Sequence, residues 1–146
     1  MFMYAAGFRL AQRTRTPLAL DVMDYESYTL HQYGLNAFQI SGKSLQSSEV
    51  QPFRTKQTDR FGKCLQKIKL RRRSGLAYIY HEPHFTFDPK VLQLQDPVYL
   101  DGYWQSEKYF TDVADHLRQE FTFAQDPTPE NATLLTNIES VPAVSI

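Results

Sequence analysis

Cysteine is almost absent: Cys64 is the only one in 146 residues. An intrachain disulfide is therefore impossible, and a zinc site built on several thiolates is excluded. The usage fits a reducing compartment, and a cytoplasmic location is expected. Charge of one sign is also missing. Lys+Arg and Asp+Glu each number 16, so the formal net charge is zero. No overall attraction to nucleic acid or to an anionic membrane is expected, and nucleic acid is not a predicted partner. No stretch approaches the roughly 20 consecutive apolar residues that span a bilayer. Met1 to Ala11 is apolar, but Arg9 interrupts it, and Gln12 and Arg13 follow directly. A secretory signal carries its charge before the apolar run and small residues after it. The segment reads instead as an amphipathic helix. Internal repeats and low-complexity linkers are lacking too, which leaves a single domain.

Hydrophobic residues make up 42% of the chain and aromatic residues 14%, too much for a disordered polymer. Phe2 to Thr14 reads as a helix with Met3, Ala6, Gly7, Leu10 and Ala11 on one stripe, ended by Pro17. Leu18 to Val22 has the look of a short buried parallel strand, with Asp21 at its C-terminal end. Asp24 to Ser48 is irregular and aromatic. Glu49 to Arg73 is polar and basic, with a helix expected around Thr58 to Leu70. Leu76 to Tyr80 and Val98 to Leu100 are further strands, separated by a loop region from His81 to Asp96. Ser106 is a predicted helix cap, and Tyr109, Val113, Leu117 and Phe121 recur every four residues behind it. Thr128 followed by Pro129 is a second helix start, with Leu134, Leu135 and Ile138 as its expected buried face. Val141 to Ile146 reads as a last strand. Helices alternating with short apolar strands predict an α/β fold with a largely parallel sheet flanked by helices.

Several motifs invite chemistry. Gly42-Lys43-Ser44 resembles the end of a phosphate-binding loop, but the required glycine five positions earlier is Ala37, so a plain turn is expected. His81 and His84 are three apart, yet Pro83 opposes the helix that would put them on one face, and no third metal ligand lies nearby. Lys67 to Arg73 is the one dense basic run. It could contact phosphates, but a solvated helix end is the preferred reading. Asn131-Ala132-Thr133 fits a glycosylation sequon inside a predicted helical turn, with nothing else to suggest secretion. Gly102 to Phe110 is of another kind. It joins a strand end to a helix start and holds the only tryptophan. Aromatic faces stack on sugar rings, Gln and Glu side chains bond hydroxyls, and a helix start favours anions. Core packing by Tyr103, Trp104 and Phe110 explains the same residues equally well.

Asp101-Gly102-Tyr103-Trp104-Gln105-Ser106-Glu107-Lys108-Tyr109-Phe110 resembles the GYWQSEKYF stretch of glycosyltransferase family 11, the bacterial-type alpha-1,2-fucosyltransferases. Met1 to Gly7 is similar to the family segment that follows a GGLGNQ loop, and Pro17 to Asp21 to its next strand. Tyr28-Thr29-Leu30, Tyr33-Gly34-Leu35, Phe38 and Ile40 resemble its Y-x-L, Y-G-L, F-x-I region. Val141 to Ile146 resembles the strand that leads into an HIRRGD box. Neither flanking box is in the chain, so it looks like an incomplete N-terminal domain, residues 1–146, with little activity expected alone.

The resemblance implies a partial Rossmann-like domain of a GT-B-type glycosyltransferase. It implies transfer of L-fucose from GDP-fucose to the 2-hydroxyl of a terminal galactose, with inversion and no required metal or other cofactor. The implied partners are a sugar nucleotide and a galactoside acceptor, with peripheral association at the inner face of the membrane. No catalytic residue is carried over. The expected sugar contacts are Tyr103, Trp104, Gln105 and Glu107, with Asp21 in addition. Two other readings stand beside this one: a non-catalytic carbohydrate-binding module, and a nucleic-acid binder acting through Lys67 to Arg73.

Overall fold

The computed structural model describes residues 1–27, 29, 32–54 and 78–142. In chain order these form α1 (Phe2–Thr14), β1 (Ala19–Leu20), α2 (Asp24–Ser27), a 3-10 turn (Leu35–Ala37), β2 (Lys43–Ser44) and α3 (Ser47–Arg54). After the break come β3 (Tyr78–His81), a 3-10 segment (Pro89–Gln93), β4 (Val98–Asp101), two 3-10 turns (Glu107–Tyr109 and Thr111–Val113), α4 (Ala114–Glu120) and α5 (Pro129–Glu139). The protein is a mixed α/β structure with short parallel strands. Among the described residues the strands make two separate two-stranded ladders, β1 with β2 and β3 with β4, both parallel. Each pair is joined by a long connection, as parallel pairing requires.

The first helix is central. Its predicted span, Phe2 to Thr14, is the observed one, and it ends where Arg15 turns left-handed at φ 57° and its N–H returns to the Ala11 carbonyl. Its burial is wider than the expected stripe. Tyr4, Ala5, Ala6, Phe8 and Leu10 are buried, whereas Met3, expected inside, is 49% exposed. The reason is that α1 serves two cores. Tyr4, Ala5 and Phe8 pack with Leu117 of α4 in one. Ala6 packs with Val91, Trp104 and Tyr109 in the other. Arg9 ties the helix down, donating to the Leu92 carbonyl at 2.9 Å and pairing with Asp112 at 3.0 Å. The Tyr4 hydroxyl donates to Glu120, whose carboxylate also accepts from the Ser41 amide at 2.7 Å. Burial and that hydrogen bond to Glu120 push the Tyr4 phenol up to about 12.

Several expectations change. The strand expected over Leu18 to Val22 contracts to Ala19–Leu20, and the one over Leu76 to Tyr80 is seen from Tyr78, residues 76 and 77 lying outside the described set. The turn expected at Gly42-Lys43-Ser44 is a strand: Lys43 and Ser44 pair with Ala19 and Leu20. Gly42 is needed there because a Cβ would lie 2.9 Å from the Tyr4 ring. The helix expected to run on from Ser106 is broken. Phe110 adopts φ −146° and packs against both cores, so only Ala114–Glu120 is α-helical. Tertiary packing has overridden a periodic pattern. α5 starts as expected, with the Thr128 hydroxyl accepting from the Asn131 amide and Pro129 at its first turn. Its expected buried face is exposed: Leu134, Leu135 and Ile138 are 57%, 48% and 47% accessible. Val141 and Pro142 are not in a strand, and residues 143–146 and the helix expected around Thr58 to Leu70 lie outside the described residues.

Candidate functional site

The longest parallel pair ends in chemistry. β3 and β4 align Tyr78 with Val98, Ile79 with Tyr99, Tyr80 with Leu100 and His81 with Asp101. Successive side chains in a strand point to opposite faces. Tyr80 and Leu100 therefore enter the core with Trp104, while His81 and Asp101 sit side by side on the other face at the C-terminal ends. His81 Nδ1 lies 2.7 Å from Asp101 Oδ2, with the two side chains 47% and 42% exposed. A carboxylate only accepts, so Nδ1 carries a proton, and in the neutral imidazole Nε2 is then the acceptor. Nε2 makes no hydrogen bond among the described residues. Open α/β sheets take their ligands at this end of the strands.

The turn after β4 is built around Glu82. Its carboxylate accepts from the Tyr103 amide at 2.7 Å and the Trp104 amide at 3.2 Å, and its own N–H donates to the Asp101 carbonyl at 2.8 Å. Gly102 allows this approach, since a Cβ there would lie 2.4 Å from the Glu82 Cβ. Trp104 is held left-handed at φ 54°, a conformation costing about 1–3 kcal/mol for a residue with a side chain. Its indole is 1% exposed and its Nε1 has no hydrogen-bond partner. Packing offsets both costs: Trp104 meets Tyr109 edge-on at 5.7 Å and Tyr80 at 6.1 Å.

The consequence appears one residue earlier. With Trp104 turned inward, Tyr103 is turned outward and is 59% exposed. Its ring stands 6.5 Å from that of Phe85, which is 81% exposed. Two aromatic rings thus stand in water on the two segments that leave the ends of β3 and β4. The segment carrying Phe85 is anchored at Asp88. Tyr80 donates to its carboxylate at 2.6 Å, and the Tyr109 hydroxyl accepts from its amide at 2.8 Å. Burial, then the bond to Asp88, pushes the Tyr80 phenol up to about 12. The same bond holds the Asp88 carboxyl below its ordinary value. Burial likewise raises Tyr109.

Of the residues singled out from sequence, Tyr103 and Gln105 are exposed on this turn and Glu107 is exposed at the start of the 3-10 segment behind it. Trp104 is corrected: it is a core residue and presents no face to a ligand. Asp21 is half-buried and accepts from the Tyr99 hydroxyl at 2.8 Å. Tyr99 shares a ladder face with Asp101, so Asp21 joins the same side of the sheet. Asp21 also lines a cavity of about 740 Å³ whose walls include Leu10, Leu18, Leu20, Tyr25 and Val98. No described Lys, Arg or His lines that cavity.

From sequence, His81 is weighed as a metal ligand against a plain loop histidine, the latter is preferred, and Asp101 and Phe85 are given no site role. The available signal was the end of a strand: His81 closes one apolar run and Asp101 the next. Among the described residues no group of three or more His, Cys, Asp or Glu could hold a metal ion. The basic run Lys67 to Arg73 lies outside the described residues. No described helix is long and apolar enough to cross a membrane. No protein-family profile, no curated protein and no solved structure matches the chain.

Proposed function

We propose that this chain is the acceptor-side unit of an alpha-1,2-fucosyltransferase, a Rossmann-like portion of a GT-B-type enzyme. It would receive a terminal galactose whose 2-hydroxyl takes L-fucose from GDP-fucose. The observation that carries the reading is the position of the family-like stretch Gly102 to Phe110. It leaves the C-terminal end of a parallel strand and exposes Tyr103 beside Phe85. Two exposed rings can pack on the apolar face of a galactose, while Gln105 and Glu107 supply an amide and a carboxylate for its hydroxyls. Asp21 stands further along the same side through Tyr99.

The test is a pair of measurements on the protein: lactose binding followed by NMR, and fucose transfer from GDP-fucose to lactose. Lactose should perturb Tyr103 and Phe85, and transfer should give fucose on the galactose 2-oxygen. Absence of lactose binding sinks the reading. Binding without transfer favours a non-catalytic carbohydrate-binding module, which the same exposed aromatic pair would serve.

A further inference from the structure

We propose that His81 and Asp101 form the acceptor-activating dyad of this site, with His81 Nε2 taking the proton of the hydroxyl that is glycosylated and Asp101 positioning the ring. The inference rests on the transferase reading above and adds to it the group that prepares the nucleophile. Three observations carry it. The 2.7 Å contact to a carboxylate puts a proton on Nδ1, so that in the neutral ring Nε2 is the acceptor. The ladder register, His81 opposite Asp101, holds both on rigid strand ends rather than on a loop. The two segments that continue from these ends carry the exposed pair Phe85 and Tyr103, four residues after His81 and two after Asp101. At 47% exposure the imidazole is open to a ligand.

The chemistry balances with the two substrates alone. The acceptor oxygen forms a bond to the anomeric carbon of the sugar nucleotide. The bond from that carbon to the diphosphate oxygen breaks, and its electron pair leaves with the diphosphate. The hydroxyl proton passes to His81 Nε2, and Asp101 stabilises the imidazolium. Glu82 serves the turn instead, its two oxygens receiving the Tyr103 and Trp104 amides.

The decisive experiment removes one hydroxyl from the ligand and one ring from the protein. Affinities for lactose and for its analogue lacking the galactose 2-hydroxyl are measured with the unaltered protein and with His81→Ala, circular dichroism confirming that the variant folds. The unaltered protein should prefer lactose by about five- to tenfold, the worth of one hydrogen bond. His81→Ala should reduce the preference to about twofold or less while leaving affinity for the analogue unchanged. A role confined to structure would weaken both sugars alike. Asp101→Asn should also lower the preference, by releasing the ring. In the transfer assay His81→Ala should lower kcat about 100-fold, with partial rescue by added imidazole.

A preference that survives His81→Ala overturns the dyad and leaves the galactoside reading intact, as does transfer within about threefold of the unaltered rate. If the unaltered protein binds both sugars equally, the dyad is likewise overturned. A protein that binds lactose yet transfers nothing overturns the transferase reading and the base role with it.

Discussion

Tyr103 and Trp104 are consecutive aromatic residues on one turn, 59% and 1% exposed. The backbone decides between them. Two amides bound to Glu82 and a left-handed Trp104 send one ring into the core and the next into water. The buried arm meets Tyr80 and Tyr109, while among the described aromatic residues the exposed arm meets only Phe85. A short motif of high aromatic content is therefore two devices: an internal anchor, and a surface that the anchor holds in place. The strain and the orphaned indole N–H are costs on the anchor side.

The sharpest way to break this contrast is Trp104→Ala. Removing a fully buried indole should cost about 3–5 kcal/mol in urea denaturation, the usual range for a large aromatic in a core. The left-handed backbone is retained by alanine, so its strain does not offset the loss. A cost under about 1 kcal/mol would mean that the ring is not anchored as described.

A smaller effect probes the support beneath the exposed arm. Tyr80→Phe deletes the hydroxyl that donates to Asp88 and should cost about 1–2 kcal/mol near neutral pH. The raised Tyr80 phenol gives stability that is complete below its ordinary 10.0 and lost as pH rises toward about 12. The depressed Asp88 carboxyl gives stability present above its ordinary 3.8 and lost as pH falls below it. Chemical denaturation across pH should therefore show a flatter profile for Tyr80→Phe at both extremes. Tyr4, also raised, is common to both proteins and cancels in the difference. An unchanged pH profile would separate Asp88 from Tyr80.

Comparison of two helices shows how much was legible. α1 and α5 both announced themselves, one by apolar spacing and the other by Thr128 and Pro129. The observed spans match or nearly match those signals. Burial did not follow so simply. α1 buries residues on more than one face because it stands between two cores, and no described residue covers Leu134, Leu135 and Ile138 of α5. Periodicity tells which residues could be buried together, not what lies opposite them. The four-residue repeat behind Ser106 was real in its packing, since Tyr109 and Leu117 are both buried, but not in its backbone. At the site, the turn itself was legible as strand end followed by helix start. Which of its aromatics faces out depended on Glu82, twenty-two residues from Trp104 in sequence. His81 and Asp101 meet only through strand register, a pairing that no local spacing encodes.

The smallest effect on stability should come with a clear effect on binding. Tyr103→Ala removes an exposed ring whose backbone amide, not its hydroxyl, makes the bond to Glu82. That amide survives the substitution, so the turn should hold and stability should change by no more than about 0.5 kcal/mol. Lactose affinity should nevertheless fall about fivefold, in keeping with the worth of one stacked aromatic contact. Phe85 still offers the second ring, which is why the loss should be partial. The contrast with Trp104→Ala is then complete: one substitution unfolds and the next disarms. Calorimetry and denaturation on the same sample decide it. A Tyr103→Ala protein that loses several kcal/mol of stability, or binds lactose as before, would show that the two neighbours do not divide the work.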